Sequence, residues 1–201
     1  TDANGNYSLT GVAQGTYDVT ASKFGYAPQT QTGVVVVGQQ TTTCNFTLEI
    51  STDWTEPFAL STSSGVYYHP CVTARGSHVY AAWSDNASGY YRIKFREFDG
   101  TSWGPIETVS STTNNDYRPR LAVDSLGNVH CVWFRSVSGG YNVCYAKRTG
   151  TGWSSVTTLN PNPADKAEVP DIACDSNDCL HVVWENLGDS NLYIRYRYYN
   201  G

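Results

Sequence analysis

A repeat of about 50 residues in the second part of the chain constrains its fold more than any other feature of the sequence. Three sets of residues share this spacing: Trp83, Trp133 and Trp184; Trp54, Trp103 and Trp153; and Pro70, Pro119 and Pro170. Because the three sets run in phase, chance explains them poorly. The region is therefore predicted to be a tandem array of one structural unit.

Each unit is predicted to contain four short β-strands. In the second unit they fall at 120–124, 129–134, 142–148 and 154–159, between residues typical of turns. A unit of this length with four strands is typical of a β-propeller blade. The array opens with a strand led by Trp54 and closes at 193–199, which gives about three blade equivalents, out of phase with a single blade. Since a closed propeller usually has about four to eight blades, this array is expected to stay open.

Residues 1–50 follow a different pattern. Tyr7 and Leu9, and then Tyr17 and Val19, alternate with polar residues as half-buried strands do. No window of the chain carries apolar residues at helical spacing for three turns. The predicted fold is therefore all-β, with a small partial β-sandwich at 1–50 followed by three four-stranded propeller-type blade repeats at 51–201.

The first segment also carries glycines, aromatic residues and aliphatic residues at fixed offsets: Asp2, Gly5, Tyr7, Leu9, Gly11, Val12, Gly15, Tyr17, Val19, Gly25 and Tyr26. This series resembles the carboxypeptidase regulatory-like module, whose members adopt a prealbumin-like β-sandwich. The opening strand or two of such a module are missing here. The resemblance therefore implies an incomplete sandwich with an edge that something else must cover.

The blade units carry two characteristic stretches, at 124–130 and 150–153. They resemble sialidase-type (BNR-like) repeats. The Asp-box of that family, Ser-x-Asp-x-Gly-x-Thr-Trp, is only approximated at 99–103, where the spacing from Asp to Gly is one residue short. The resemblance implies blades of the sialidase type.

A sialidase needs an arginine cluster, a tyrosine activated by a carboxylate and an acidic proton donor. Tyr117, Arg118 and Arg120 suggest such a site, but Cys71 and Asp171 stand at the position of Arg120 in the other units. Three blades also provide too little of a six-bladed site. The chain is therefore expected to be non-enzymatic, with no catalytic residue, no metal and no cofactor.

The cysteines are expected to form disulfides. They are Cys44, Cys71, Cys131, Cys144, Cys174 and Cys179. Cys131 and Cys144 flank a turn predicted at 136–139, and Cys174 and Cys179 flank a turn at 175–178. Antiparallel pairing about each turn would set the two cysteines directly opposite each other. Cys44 and Cys71 are either free or form a bridge between the two segments. Two hairpin disulfides favour an oxidising compartment and a secreted or cell-surface protein.

Charge and hydropathy weigh against two classes of partner. The net charge is -5, and the 13 lysines and arginines are scattered, so no basic stripe is available to a nucleic acid. Apolar runs such as 34–37 are far shorter than the ~20 residues of a membrane-spanning helix. Because the chain contains no Met and begins inside a predicted turn, it is expected to be a processed product or an excerpt of a longer protein.

The loops between the second and third strands are predicted to project from one end of the blades. They lie at 84–91, 135–141 and 185–192, and they combine Tyr with Ser, Gly and Asn. This composition is typical of recognition loops and also of ordinary turns. The candidate ligand-binding residues are Tyr90, Tyr91 and Tyr141.

Three other features have both a structural and a functional interpretation. His130 and His181 precede a repeat tryptophan by three residues, where the first unit has Tyr80, so packing is expected rather than metal binding or acid–base chemistry. The turn 175–178 offers oxygen ligands for calcium, or is a solvated β-turn. Three Asn-x-Ser/Thr sequons begin at Asn6, Asn45 and Asn86. They are candidate sites of N-glycosylation, and chance matches are also expected in a chain rich in Asn and Thr.

Two incomplete β-elements favour an interaction scaffold. The main hypothesis is an extracellular structural or adhesive protein that binds other copies of itself, or other parts of a larger parent, and forms filaments by edge complementation. The alternative is a carbohydrate- or protein-binding propeller module of a larger secreted protein. A sialidase-like glycosidase fragment ranks third.

Overall fold

The structure, a computed structural model, describes residues 2, 5–23, 25–52, 54–61, 65–150, 152–160, 162, 166–187 and 191–200. Within these residues it contains fourteen β-strands and no helix, so the predicted all-β fold is confirmed. The chain divides into two compact units, Thr1–Phe58 and Ala59–Gly201. Among the described elements there is no helix that is long and apolar enough to cross a membrane.

The first unit contains one antiparallel hairpin, formed by β1 (Gly15–Ala21) and β2 (Gln29–Val36). The predicted strand around Tyr7 is not found, although the Tyr7 hydroxyl donates a hydrogen bond to the Cys44 carbonyl at 2.8 Å. The hairpin and the flanking segments enclose an open cavity of about 810 Å³. Within the described residues, the sheet of this unit therefore consists of two strands that lie beside the cavity.

The second unit contains three blades in sequence. Blade 1 consists of β3 (Tyr67–Arg75), β4 (His78–Asp85), β5 (Arg92–Phe98) and β6 (Glu107–Thr108). Blade 2 consists of β7 (Asp116–Val123), β8 (Val129–Val137), β9 (Gly140–Thr149) and the short outer strands β10 (Gly152–Trp153) and β11 (Thr157–Thr158). Blade 3 consists of β12 (Lys166–Cys174), β13 (Leu180–Leu187) and β14 (Leu192–Tyr199), and its described residues include no fourth strand.

The blades pack face to face through two hydrophobic cores. The core between blades 1 and 2 contains Tyr80, Ala82, Ile93, Phe95, Val109, Leu121, Val129, Cys131, Trp133, Cys144 and Ala146. The core between blades 2 and 3 contains Ala122, Val132, Val143, Ala167, Ile172, Leu180, Val182 and Trp184. One tryptophan series of the repeat, which includes Trp83, is buried in every blade because it stands at the centre of each second strand.

A β-bulge interrupts the first strand of every blade just before the repeat proline. His69, Arg118 and Val169 all have a positive φ of 50° to 52°. In blade 1 the residues His69 and Pro70 together lie opposite a single residue of β4, and the register shifts between Tyr68 and Cys71. A left-handed conformation at a non-glycine residue is uncommon, and its recurrence at one repeat position marks it as part of the blade architecture.

The two predicted hairpin disulfides are wrong, because the hairpin registers differ from those assumed. A two-residue turn joins Val137 to Gly140, so that Cys131 lies opposite Ala146 and not opposite Cys144. In blade 3, Cys174 lies opposite Leu180, and its predicted partner Cys179 is the residue before Leu180 in the chain. All six cysteines are free thiols: Cys44, Cys71, Cys131, Cys144, Cys174 and Cys179. Burial raises the pKa of Cys71 and of Cys144 to about 11, which keeps both thiols protonated.

The strand predicted to begin at Trp54 does not form within the described residues 54–61. The indole of Trp54 is fully exposed, whereas Trp103 and Trp153 pack against the rings of Phe98 and Phe95. The Trp103 contact lies within blade 1, and the Trp153 contact joins blade 2 to blade 1. The repeat position of Trp54 alone is therefore insufficient to specify a strand.

Candidate functional site

Five aromatic side chains form a continuous row across blades 1 and 2, here named the tyrosine row. The ring centroids of Tyr68 and Tyr91 are 5.6 Å apart, and those of Tyr91 and Tyr117 are 4.9 Å apart. The row continues from Tyr117 to Phe134 at 5.4 Å and ends with Tyr141, whose ring meets that of Phe134 edge-on at 5.5 Å. Phe134 is buried, Tyr68 is 47% exposed and the other three rings are half-buried.

The repeat explains how these rings come together. Tyr68 and Tyr117 occupy the same position in two blades, immediately before the bulged residue of the first strand. Tyr91 and Tyr141 likewise occupy one position, just after the turn between the second and third strands. The fifth ring, Phe134, lies on β8 directly opposite Tyr117. Both slots open at the same end of the blades, so packing two blades together aligns their tyrosines.

The bulges also bring two polar side chains to the row. The Arg118 guanidinium lies over the Phe134 ring at 6.0 Å, and the His69 ring lies 5.7 Å from Tyr68 and 6.4 Å from Tyr117. Burial lowers the pKa of His69, and the neighbouring cationic guanidinium of Arg118 lowers it further. His69 is therefore neutral at neutral pH, and Arg118 is the cation at this part of the row.

Hydrogen bonds hold the backbone of Tyr91, the second ring of the row. The Tyr91 amide donates to the Asn115 side-chain oxygen at 2.9 Å, and the Tyr91 carbonyl accepts from the Asp116 amide at 3.0 Å. The Asn115 carbonyl in turn accepts from the Ser136 amide at 2.8 Å. The segment that connects blade 1 to blade 2 is therefore bonded on both sides, which fixes the spacing between the two halves of the row.

A buried ion pair lies next to this connection. Asp116 is fully buried, and both of its carboxylate oxygens accept hydrogen bonds from Arg135, at 2.7 and 3.1 Å. Burial opposes the charge on Arg135, but the Asp116 carboxylate outweighs it and raises the pKa of the guanidinium. Arg135 thus engages both oxygens of the carboxylate, and the pair joins the first and second strands of blade 2.

The predicted ligand-binding residues separate in the structure. Tyr91 and Tyr141 belong to the tyrosine row, whereas Tyr90 is 43% exposed and lies against the Arg92 guanidinium at 5.2 Å. The loop at 185–192 includes residues 188–190, which lie outside the described part of the chain. The sequence interpretation missed three members of the row: Tyr68, Tyr117 and Phe134. A tyrosine two residues before the repeat proline is the signal that identifies the first two.

The repeat histidines lie in hydrogen-bonded triads. In blade 2 the two ring nitrogens of His130 contact Tyr145 at 2.9 Å and Asp124 at 3.2 Å. In blade 3, His181 makes the same pair of contacts, at 2.8 and 3.3 Å, with Tyr196 and Asp175. In blade 1 the same positions hold Tyr80 and Phe95, whose rings are stacked at 6.2 Å. In each blade a pair of rings at these positions therefore connects the second strand to the third, as His and Tyr in blades 2 and 3 and as Tyr and Phe in blade 1.

The two carboxylates of the turn 175–178, for which calcium binding is one interpretation, both accept hydrogen bonds. Asp175 accepts from the amides of Asn177 and Cys179, and the Asp178 carboxylate accepts from Ser125 of the preceding blade. Within the part of the chain that the structure describes, no group of three or more metal-ligating side chains is assembled.

Each sequon asparagine takes part in a local hydrogen bond, Asn6 and Asn86 through the side chain and Asn45 through the backbone carbonyl. The side chain of Asn6 donates to Asp2 at 2.9 Å, and the Asn45 carbonyl accepts from Gln31 at 2.6 Å. The Asn86 side-chain oxygen accepts from the Val66 amide at 2.8 Å. N-glycosylation at these positions stays a prediction.

Comparison with known proteins gives a family match for the first segment and solved structures of similar fold. Residues 1–49 match the family model of the carboxypeptidase regulatory-like domain, as the sequence pattern indicates. A Hadza microbial sialidase shares 11% identity and has a TM-score of 0.56, over 89% of this chain and 43% of that chain. This likeness confirms the sialidase-type blade fold. A search of curated protein sequences gives no match.

Two further solved structures are similar over about two thirds of the chain. An α-L-arabinanase of Penicillium chrysogenum, complexed with arabinobiose, has 14% identity and a TM-score of 0.47, over 64% of this chain and 44% of that chain. A fucose lectin from Kordia zhangzhouensis, in complex with methyl-fucoside, has 14% identity and a TM-score of 0.43, over 66% of this chain and 92% of that chain. The chain spans less than half the length of the sialidase and of the arabinanase.

Proposed function

We propose that the blade array is a carbohydrate-binding module, and that the tyrosine row is its binding surface. The observation that carries the proposal is the unbroken contact of five rings, of which Tyr68, Tyr91, Tyr117 and Tyr141 remain partly open to solvent. The neighbour that shares the blade fold is a sialidase, which supports carbohydrate as the class of ligand.

The chemistry of the row suits a sugar. A pyranose has an apolar face of C–H groups and a rim of hydroxyls, so it needs a flat apolar surface with polar groups beside it. Tyrosine combines an aromatic face with a hydroxyl at its edge and loses little conformational entropy on binding. Arg118 adds a donor for ring or hydroxyl oxygens, and it is held beside Phe134 by the strand bulge.

We propose further that the module is non-enzymatic. Glycoside hydrolysis uses two carboxyl groups placed across the scissile bond. Near the row, Asp116 is buried and bonded to Arg135. Between blades 1 and 2, Glu97 and Glu107 both bind the Arg148 guanidinium, at 2.9 and 2.7 Å. Carboxylates held by guanidinium groups favour a structural role. Secretion or cell-surface display is proposed with this function, because glycans are abundant there.

The test is calorimetric titration of the full chain with methyl-fucoside, arabinobiose and sialic acid. A single site with a Kd of about 1 mM or tighter, about −4 kcal/mol, is expected for at least one of them. Tyr91→Ala and Tyr117→Ala each remove a ring from the middle of the row and should weaken binding about tenfold, or about 1.4 kcal/mol.

Tyr90→Ala is the matched control. It removes a more exposed tyrosine, 43% exposed, from the same loop as Tyr91 but outside the row, so the affinity of this variant should stay within about twofold of the wild type. Equal losses for Tyr90→Ala and Tyr91→Ala would refute the row as the binding surface. Absence of binding by all three sugars, with the wild-type fold intact, would refute the proposed function for these ligands.

We also propose a second function, self-assembly as an extracellular structural or adhesive scaffold. It is favoured by β14, which is the last strand of blade 3, pairs only with β13 among the described strands and is exposed along its whole length. Natural edge strands are normally shortened, covered or paired. Electron microscopy of the purified chain tests this function, and regular polymers are the expected result.

A further inference from the structure

The outward faces of blades 1 and 3 expose apolar residues at repeat positions that are buried between blades elsewhere in the array. On the third strands, Ile93 and Val143 are fully buried against the following blade, whereas the corresponding Ile194 of blade 3 is 71% exposed. On the first strands, Leu121 and Ile172 are at most 9% exposed against the preceding blade, whereas the corresponding Val72 of blade 1 is 69% exposed. Each outer face therefore lacks the type of neighbour that the inner faces have.

A pair of hydrogen bonds fixes the outer edge of blade 1. The Val109 amide donates to the Ile93 carbonyl at 2.8 Å, and the Ile93 amide donates to the Ser110 hydroxyl at 2.9 Å. Val109 and Ser110, an aliphatic residue followed by a small polar one, are here named the clasp. It bonds to the third strand of its own blade and packs against the next blade.

Blade 2 has the same clasp. The Leu159 amide donates to the Val143 carbonyl at 2.8 Å, and the Val143 amide donates to the Asn160 side-chain oxygen at 2.9 Å. Leu159 packs against the core between blades 2 and 3, and its carbonyl accepts from the Arg197 guanidinium of blade 3 at 2.7 Å. The described residues of blade 3 contain no clasp for the corresponding strand position, Ile194.

A clasp without its own blade lies at the other end of the array. Leu60 and Ser61 stand at the repeat positions of Leu159 and Asn160. The Leu60 carbonyl accepts from the Arg96 guanidinium of blade 1 at 3.1 Å, and Arg96 occupies the same repeat position as Arg197. Leu60 is therefore seated on blade 1 in the way that Leu159 is seated on blade 3.

We infer that the clasp of one copy of this chain completes blade 3 of a second copy. The Leu60 amide of one copy donates to the Ile194 carbonyl of the other, and the Ile194 amide donates to the Ser61 hydroxyl. The same contact buries Val72 against Ile194 and Tyr196. The occupant is a second copy because this chain carries both halves of the contact, each matched in geometry by a blade interface that already exists within it. The inference rests on the scaffold function proposed above.

The contact joins two different surfaces, so it is heterologous. Each copy keeps one free clasp and one free β14 edge after docking, and the contact propagates into a ring or an open chain of copies. An isologous contact between two β14 edges would instead stop at a dimer.

Analytical ultracentrifugation of two complementary variants tests the inference. Val72→Asp places a charge on the clasp face, and Ile194→Asp places one on the β14 face; both side chains are exposed in the monomer, so the fold should be retained. The wild-type chain should form species larger than a dimer, and each variant alone should be a monomer of 22.1 kDa. An equimolar mixture should form a dimer of about 44 kDa, twice 22.1 kDa, because each variant retains the face that the other lacks.

Leu126→Asp is the control, since Leu126 is 84% exposed on a turn outside both faces, and its assembly should match the wild type. Two results overturn the inference and separate it from the scaffold function. If the wild type assembles but either variant alone still forms dimers, or the mixture stays monomeric, the contact is wrong and the scaffold function survives. If the wild type is a monomer at about 100 μM, its free energy of association is weaker than about −5.5 kcal/mol, and both the contact and the scaffold function are refuted.

Discussion

Removal of the Asp116 carboxylate should destabilise the blade array strongly. Asp116 is fully buried and the Arg135 side chain is 16% exposed, and two hydrogen bonds of 2.7 and 3.1 Å join them. Asp116→Ala leaves the guanidinium buried without its counter-ion. Loss of one partner from a buried pair costs about 3–5 kcal/mol, against about 0–1 kcal/mol for a surface pair. For a chain of this size the change corresponds to a fall in Tm of about 6–20 °C.

The repeat provides a matched rescue. Blade 3 has Ala167 and Asn186 in place of Asp116 and Arg135, directly opposite each other in the same register, and both are buried. The double variant Asp116→Ala/Arg135→Asn transfers that pair into blade 2. It should recover about 2 kcal/mol or more of the loss, since the unpaired charge is gone.

Urea unfolding followed by tryptophan fluorescence measures both effects. Five of the six tryptophans, all except Trp54, lie in the second unit, so the signal reports mainly on the blades. A loss below about 1 kcal/mol for Asp116→Ala would refute the buried pair as a structural element. A double variant as unstable as the sum of the two single variants would refute the coupling.

Two further predictions concern the turns of blade 2. Burial disfavours the charge on Asp124, but hydrogen bonds from Asn128 and His130 outweigh it and lower its pKa to about 2. Because the pKa of this carboxyl is near 3.8 in the unfolded chain, the group stabilises the fold above about pH 4. About 2 kcal/mol of this stability should be lost as the pH falls to about 2. Asp124→Asn should flatten the dependence of stability on pH that acid unfolding measures. Gly139→Ala should cost about 1–2 kcal/mol in thermal unfolding because φ is +87°. Gly152→Ala, where no left-handed φ is required and space is open, should be near neutral, and equal costs at both sites would contradict this explanation.

The blade architecture could be predicted because it depends on local periodicity. Each blade must bury two faces, and the tryptophans and prolines that do so recur at one spacing whatever the rest of the sequence contains. For this reason the strand predicted at 129–134 lies within β8, and the strand predicted at 120–124 overlaps β7, which ends at Val123. The disulfides failed on a finer detail, because moving the β8–β9 turn by one residue shifts every cross-strand pair by two.

The sequence by itself determined the class of fold, the number of blades and two of the five rings, Tyr91 and Tyr141. Only the tertiary structure decided that these rings join Tyr68, Tyr117 and Phe134. That contact depends on a left-handed bulge before each proline and on how two blades pack, and residues near each other in the chain do not set the packing. Local pattern specifies what each blade buries, whereas the packing of one blade on the next specifies which side chains meet at the surface.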